Sequence, residues 1–360
     1  MNHIVRADKV TLARESRGLT QAELAERLRI SQGQISKIEL GMLHISTELL
    51  TRTSTVLNYP ESLFYLTDQI YGAGPNDLYH RKRQSASSKL MKKIYAQINL
   101  RRIQIVRLLK SVALACHMPK YPIEDSAAEG EAAIAAMVRA AWHLPNGPID
   151  NLTEILERAG AIIVTCNFET PLVDGISQWL PGCPPMFFMN MMTPRSRWRM
   201  TLAHELAHCV MHATPNAEME GQANKFASEL LMPAADIKSD LTFVAQCRHA
   251  DDVLSKLAEL KLIWKVSMQG LLTKAAETRM LQPGLVTSTW KRLTQLGYRR
   301  HEPLEHRLPI EQPTTLRELV TRHLTRLGYS VNQLADALCL SVEEFRQLYM
   351  PQEVAHLRAI

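Results

Sequence analysis

Hydrophobic residues in the first 65 positions recur every three or four residues, and no run alternates as a half-buried strand would. Thr20 and Ser31 each precede such a periodic segment, with Glu23 and Gln34 three positions later, which is typical of a capped helix start. The pattern predicts an all-helical region, with helices at about 9–17, 21–28, 32–39 and 46–57 and a short turn after Pro60.

The middle of the chain combines helical and strand patterns. A β-branched run at 161–165 follows Gly160 and predicts one strand, and an apolar run at 186–189 predicts another. Helical periodicity surrounds these runs at about 127–142, at 197–212 and at 218–232, and a further helix follows the turn at 144–148 and ends at about 159. Beyond Pro233 the pattern is helical again, apart from a proline-containing segment at 301–313. We therefore expect a mainly α protein with an α+β domain in its middle.

Turn residues and prolines indicate where the chain divides, because 360 residues exceed one ordinary hydrophobic core. The content of 46% hydrophobic and 22% charged residues is that of a folded soluble protein and excludes wholesale disorder. We predict four segments: a helical domain at 1–66, a basic helical linker at 67–125, an α+β domain at 126–240 and a helical C-terminal region at 241–360.

Positive charge is concentrated in the predicted linker. The formal net charge of the whole chain is only +6, but residues 78–123 contain no Asp or Glu and many Lys and Arg. This composition favours a polyanionic partner, although a solvated helix face or a signal for nuclear or membrane surfaces would have the same composition.

The cysteines and the apolar segments bear on the cellular compartment. The six cysteines lack CxxC spacing, so neither a disulfide framework nor a cysteine zinc site is expected. The N-terminus has no apolar signal core, and no stretch approaches the ~20 apolar residues that span a bilayer. We expect a protein of the reducing cytoplasm that does not bind the membrane.

The segment 19–41, LTQAELAERLRISQGQISKIELG, places its apolar residues where two helices crossing at a steep angle would bury them. The second of these helices presents Gln32, Gln34, Ser36 and Lys37 outward. Side-chain amides suit the edges of bases, and the ammonium group of Lys37 suits phosphate.

This spacing resembles the repressor-like helix-turn-helix family of the Xre or Cro/CI type, over residues 9–64. The resemblance implies a lambda-repressor-like domain that binds a double-stranded DNA operator, with Gln21 and Lys37 on phosphates and Gln32, Gln34 and Gly33 near bases. Such a domain can instead serve only to dimerise or to hold another protein.

Residues 330–345 repeat the apolar spacing of residues 20–35, so that Leu334 corresponds to Leu24 and Leu338 to Leu28. The reading positions of this second copy include the acidic residues 343 and 344, and carboxylates there would repel phosphate. We predict a degenerate helix-turn-helix with a packing or dimerisation role.

A second motif, TLAHELAHCVMH at 201–212, contains His204 and His208 four positions apart, with Glu205 beside the first. Two imidazoles so spaced share one face of a helix and can hold one Zn²⁺. Glu205 can then act as the general base toward the attacking water of a hydrolysis.

A catalytic zinc site needs a third protein ligand and an open position. His212 is eight residues after His204, about 12 Å along the helix axis and too far to share the ion. On the next helix Glu220 lies on an apolar stripe that should face inward, whereas Glu229 lies about 180° away. The helical phase therefore predicts Glu220 as the third ligand.

Several segments resemble the ImmA/IrrE family of metallopeptidases over residues 127–233: RAAWHLPNGPIDNLTEILERAGAIIV, DGIS, RSRWRMTLAHELAHCVMH and EGQANKFASELLMP. The resemblance implies a zincin-like domain in which the Glu of an E-x-x-x-N-x-x-A run, here Glu220, completes a His-His-Glu zinc site. It also implies cleavage of repressor proteins that control stress responses or mobile elements, and frequent fusion to a repressor-type DNA-binding domain.

Some roles stay open at this stage. Three side chains are candidates for stabilising the oxyanion, and none is preferred: His212, Arg197 and Tyr298. The arginines at 195, 197 and 199 are either solvated or paired with Glu218. The strand at 186–190 is expected at a sheet edge, where a substrate peptide could bind by strand addition.

The two motifs support two hypotheses of different classes. In the first, the protein is a DNA-associated zinc endopeptidase that cleaves a repressor-type regulatory protein, with one Zn²⁺ per chain, which Mn²⁺ could replace. In the second, it is a non-proteolytic transcriptional regulator whose metal domain is a sensor or purely structural. An antitoxin-like module is a further alternative, and a homodimer is expected because repressor-like domains read paired half-sites.

Overall fold

The computed structural model describes residues 4–71, 87–124, 130–214 and 216–350. In these ranges the chain forms sixteen α-helices, two short 3-10 helices and one three-stranded sheet. The α-helices are α1 (Ala7–Ser16), α2 (Gln21–Leu28), α3 (Gln32–Glu39), α4 (Thr47–Leu57), α5 (Ser88–Leu109), α6 (Gly130–Ala141), α7 (Leu152–Arg158), α8 (Arg195–Met211), α9 (Met219–Leu231), α10 (Ala234–Ala245), α11 (Ala250–Trp264), α12 (Met268–Glu277), α13 (Pro283–Gln295), α14 (Thr315–Thr325), α15 (Val331–Ala337) and α16 (Val342–Tyr349). The strands are β1 (Ile162–Cys166), β2 (Gly175–Gln178) and β3 (Met186–Asn190), and the 3-10 helices are Glu61–Tyr65 and Glu305–Arg307. None of the described helices is long and apolar enough to cross a membrane.

The chain divides into two compact units. The first unit combines Met1–Leu114 with Thr314–Ile360, and the second is Ala115–Pro313. This division differs from the four predicted segments, because α5 of the predicted linker and the last helices share one apolar core with the N-terminal helices. Residues 72–86 and 125 of the predicted linker and 126–129 at the predicted start of the α+β domain lie outside the described residues.

The N-terminal helices of the first unit follow the predicted pattern closely. Helices α2 and α3 have the predicted bounds, and α1 begins two residues earlier than predicted. Both predicted capping boxes are present: Thr20 accepts from the backbone N–H of Glu23, and Ser31 from that of Gln34. The turn between the two helices contains Arg29 at φ 52°, so α3 starts in a new direction.

The C-terminal helices of the first unit repeat this shape. Helices α15 and α16 start at the N-caps Ser330 and Ser341, and Cys339 between them has φ 56°. Glu344 does not point to a free reading surface, because its two carboxylate oxygens each accept a hydrogen bond from Arg17, at 2.9 Å. Phe345 is fully buried in the core of this unit. These contacts support the packing role within the first unit, and the dimerisation role stays a prediction.

We predict that Glu344→Gln lowers the free energy of unfolding by about 1 kcal/mol, because a two-pronged, partly buried ion pair loses its charge. Glu343→Gln is the matched control, since Glu343 is exposed on the same helix turn and should change stability by less than about 0.5 kcal/mol. Thermal unfolding followed by circular dichroism measures both. Equal stabilities for the two variants would contradict the packing role of Glu344.

The second unit contains the sheet, whose strand order is β1-β3-β2. Strand β3 pairs in parallel with β1 and antiparallel with β2, and all five of its residues are buried. The prediction that 186–190 is an edge strand is therefore wrong. An apolar run without polar alternation is typical of a central strand, which is covered on both faces. The two edge strands are β1, which the pattern predicted, and β2, which the hydrophobic pattern did not identify.

The proline-containing segment 301–313 caps three helices of the second unit. Glu302 accepts from the backbone N–H of Met268 at the start of α12, at 2.8 Å. Glu305 accepts from Ser196 at the start of α8 (2.7 Å), and Glu311 from Thr153 in α7 (2.9 Å). Carboxylates at helix N-termini satisfy free N–H groups and the helix dipole. This segment therefore belongs to the unit that contains the His-Glu-x-x-His helix.

Candidate metal centre and DNA-reading helix

The structure brings the three predicted metal ligands together from two helices. His204 and His208 lie on α8, and Glu220 lies in the first turn of α9. The Nε2 atoms of the two histidines are 3.1 Å apart, and each lies 3.5 Å from one oxygen of the Glu220 carboxylate. The ligand atoms of the three residues all lie within 4.8 Å of one another.

These distances suit a divalent cation. In a tetrahedral zinc site with bonds of 2.0–2.1 Å, neighbouring ligand atoms are about 3.3 Å apart, between the two spacings observed. The Oε1 atom of Glu220 is buried and accepts no hydrogen bond among the described residues, since His208 at 3.5 Å is too far for a good one. A cation would satisfy this oxygen. Two imidazoles and one carboxylate also form the donor set of an open catalytic site.

The electrostatics of the site favour positive charge between the two helices. Burial alone would lower the pKa of His204, but Glu220 raises it. Burial alone would raise the pKa of Glu220, but the facing histidines place it well below its usual range. The carboxylate is therefore ionised and directed at the two Nε2 atoms.

The second carboxylate on α9 points away, as its helical phase predicted. Glu229 forms an ion pair with the buried Lys274 and accepts a hydrogen bond from the backbone N–H of Ala234, at 3.1 Å. Only Glu220 of these two residues belongs to the cluster.

Glu205, the predicted general base, lies on α8 beside the edge strand β2. Its side chain is buried, and its Oε2 accepts a hydrogen bond from the hydroxyl of Ser177 at 2.7 Å. Sequence reasoning did not assign a role to Ser177, although the DGIS segment that contains it was one of the signals for the family resemblance. The carboxylate of Glu205 is thus held by a strand that sequence periodicity missed.

The arginines before the metal motif have partners other than Glu218. Arg195 donates to the backbone oxygens of His306 and Leu308, at 3.0 and 2.8 Å. Arg197 pairs with Asp174, and the buried Arg199 pairs with Glu311 at 2.8 Å. Pairing with Glu218 is therefore wrong for these arginines, because loops distant in sequence fold over this end of α8. The solvation alternative holds only for Arg197, which is exposed as well as paired, whereas Arg199 is buried.

The three candidates for stabilising an oxyanion lie in different surroundings. Arg197 pairs with Asp174, and Tyr298 packs against the apolar core. His212 contacts His208, and burial, with His208 beside it, lowers the pKa of His212 to about 4. The described hydrogen bonds connect neither Arg197 nor Tyr298 to the metal ligands, and the oxyanion role stays unassigned.

The residues predicted to read DNA lie on α2 and α3 of the first unit. Gln32, Gln34 and Lys37 are exposed, and Ser36 and Gln21 are half-buried. The Oε1 atom of Gln34 accepts a hydrogen bond from the backbone N–H of Ser31, at 3.0 Å, so part of this side chain serves the capping box.

A chain of hydrogen bonds orients two of these glutamines. The buried Arg14 binds both oxygens of Glu39, at 2.6 and 2.9 Å, and Glu39 accepts from the amide of Gln21 at 2.9 Å. Gln21 in turn accepts from the amide of Gln32, at 3.3 Å. The first residue of α3 is thus connected to the core through Gln21.

The fold and the site define a protein that joins a helix-turn-helix domain of the DNA-binding kind to a metallopeptidase-like domain. Comparison with protein families agrees: residues 11–64 match the family of helix-turn-helix domains, and residues 156–269 match the IrrE N-terminal-like domain. The chain therefore contains a helix-turn-helix domain of the Xre-like type and, after it, an ImmA/IrrE-like domain. No curated protein and no solved structure matches the chain significantly.

Proposed function

We propose that the protein is a DNA-binding transcriptional regulator and a zinc-dependent endopeptidase that cleaves a repressor-type regulatory protein in a stress-response or mobile-element circuit of the cytoplasm. The observation that carries the proposal is the convergence of His204, His208 and Glu220, with Glu205 beside them on the same helix. One Zn²⁺ per chain is the expected ion, and Mn²⁺ is the alternative that the same donors accept.

The residues around this point supply what peptide hydrolysis needs. A cation held by the three ligands supplies polarisation of the scissile carbonyl and a lowered pKa for water. Glu205 accepts a proton from the attacking water and returns it to the leaving amine. Ser177 holds Oε2 of this carboxylate at 2.7 Å, so Oε1 is the oxygen that exchanges the proton.

The edge strand β2 offers a place for the substrate. Gly175 at its start lies beside α8, where a Cβ atom would come within 3.5 Å of the Glu205 side chain. An extended peptide that adds to the outer edge of β2 would run past this carboxylate. The strand-addition role that the sequence suggested for 186–190 thus passes to β2.

Cleavage of an unselected peptide mixture tests the peptidase half of the proposal. The full chain is loaded with Zn²⁺ or Mn²⁺ and incubated with a peptide library from a whole-cell digest, and mass spectrometry records new termini. We expect a recurring cleavage pattern that a chelator abolishes and Zn²⁺ restores. If the same peptide termini are found with and without metal, the result would support the alternative of a non-proteolytic regulator with a sensing or structural metal site.

The DNA half of the proposal assigns base contacts to Gln32 and Gln34 and phosphate contacts to Gln21 and Lys37, with Ser36 on the same exposed side of α3. The hydrogen bonds from Arg14 through Glu39 and Gln21 support a fixed orientation for Gln32. Selection of binding sites from random duplexes tests it. Inverted half-sites one helical turn apart would indicate that a homodimer binds.

We predict that Lys37→Ala weakens binding to the selected duplex about tenfold, and that the loss is the same for all bound sequences. The slope of the logarithm of affinity against the logarithm of salt concentration should fall by about one, as expected for the loss of one phosphate contact. Gln32→Ala should instead lower the preference at one base position by about 1–3 kcal/mol. Lys256→Ala is the control, because Lys256 is a half-buried lysine of the second unit that pairs with Glu259. Fluorescence anisotropy at several salt concentrations measures all three variants. Equal losses for Lys37→Ala and Lys256→Ala would contradict the assignment of α3.

A further inference from the structure

His212 follows the last residue of α8 and contacts a metal ligand without being one. Its Nδ1 atom lies 2.9 Å from Nδ1 of His208, on the side of that ring opposite the Nε2 atom that faces Glu220. Its Nε2 atom lies 3.0 Å from Oε1 of Gln222. Both ring nitrogens of His212 thus have partners, and neither lies against the Nε2 atoms or the carboxylate that would bind the cation.

The hydrogen-bond acceptors next to His212 determine which ring nitrogens of His212 and His208 carry a proton. The Oε1 atom of Gln222 also accepts from the amide of Asn216, at 3.4 Å, so it acts as an acceptor toward both neighbours. A neutral His212 that donates to this oxygen carries its proton on Nε2 and has a lone pair on Nδ1. In that tautomer the lone pair is placed to accept from Nδ1–H of His208, at 2.9 Å. The consequence is that Nε2 of His208 has its lone pair directed at Glu220 and His204.

His204 has a simpler partner of the same kind. Its Nδ1 lies 3.0 Å from the side-chain oxygen of Asn224, so it too donates from Nδ1, while its Nε2 faces Nε2 of His208 and the Glu220 carboxylate. Both histidines are thus compatible with the tautomer that binds a cation through Nε2, but only His208 depends on a second imidazole for it.

We propose that His212 and Gln222 are positioning residues of the metal centre, which hold His208 in the tautomer and ring orientation that a divalent cation requires. The proposal rests on the proposed metal centre. Residues that hydrogen-bond to the non-ligating nitrogen of a metal-binding histidine fix its ring orientation and its tautomer. Their loss lowers metal affinity by about 10–100-fold. Here the partner is a neutral imidazole hydrogen-bonded to an amide, rather than a carboxylate.

Zinc affinity of the full chain tests the proposal without any substrate. His212→Phe keeps an aromatic ring but removes the acceptor, whereas His212→Asn keeps an acceptor oxygen near the position of Nδ1. Competition with a chromogenic chelator measures the affinity for Zn²⁺, and elemental analysis at saturation measures the stoichiometry. We expect His212→Phe to weaken binding about 10–100-fold at unchanged stoichiometry, and His212→Asn to stay within about threefold of the wild type.

Two further variants separate this role from other effects. Gln222→Leu removes the acceptor for His212 and should weaken Zn²⁺ binding severalfold even if His212→Phe fails to fold. His249→Phe removes an exposed histidine of the same unit and should leave the affinity unchanged. Tight binding by the wild type with equal affinity in His212→Phe, or equal losses in His212→Phe and His212→Asn, overturns the positioning role. A wild type that binds no Zn²⁺ overturns the proposed metal centre itself.

Discussion

Substitution of Glu205 by Gln is expected to lower the rate of peptide cleavage by about 10³-fold while the protein keeps its metal. The amide is nearly isosteric with the carboxylate and can still accept from the Ser177 hydroxyl, but it cannot take a proton from water. The two histidines and Glu220 are untouched, so the Zn²⁺ content should stay that of the wild type. Single-turnover cleavage of a library-derived peptide, with metal analysis of the same samples, measures both quantities.

Glu218→Gln is the control for this substitution. Glu218 is an exposed carboxylate just before α9 and outside the cluster, so this variant should cleave at the wild-type rate. Full activity in Glu205→Gln would show that another group acts as the base. Loss of its metal would show instead that the carboxylate of Glu205 contributes to metal binding.

Substitution of Glu220 by Gln should weaken Zn²⁺ binding by at least about 100-fold. The change removes the only negative charge among the three ligands and replaces a carboxylate oxygen with a weaker amide ligand. Competition with a chelator measures the affinity, and cleavage should fall in parallel at limiting Zn²⁺.

Glu229→Gln makes the same chemical change on the opposite face of α9. Glu229 pairs with the buried Lys274, so this variant should lose folding stability but keep its Zn²⁺ affinity. If the two variants bind Zn²⁺ equally weakly, the third ligand is not Glu220. If both bind as tightly as the wild type, the centre needs no carboxylate from α9.

Much of the candidate site followed from local patterns. The caps Thr20 and Ser31, the turn between His204 and His208, and the opposite phases of Glu220 and Glu229 all involve residues within one helix or one turn. Helical geometry relates such residues by fixed rise and rotation, so their relative positions are independent of the rest of the fold. The resemblance to a metallopeptidase family then indicated that Glu220 of α9 binds the same metal ion as the two histidines of α8.

Other parts of the site depend on residues that meet only after folding. Ser177 reaches Glu205 because β2 lies at the edge of the sheet beside α8, and strand order is not encoded in the periodicity of a single strand. The partners of the arginines before the metal motif lie 23 to 113 positions away in sequence. Glu344 is farther still from its partner, because its carboxylate binds Arg17 across 327 positions.

The amino-acid sequence alone determines the two helical motifs, their caps and the helix face on which each functional side chain lies. These properties arise from contacts between near neighbours along a helix. Tertiary packing decides three other features: β3 lies at the centre of the sheet, the last helices share a core with the first, and Ser177 hydrogen-bonds to Glu205. Such contacts depend on which apolar faces cover one another, and that outcome involves the whole folded unit.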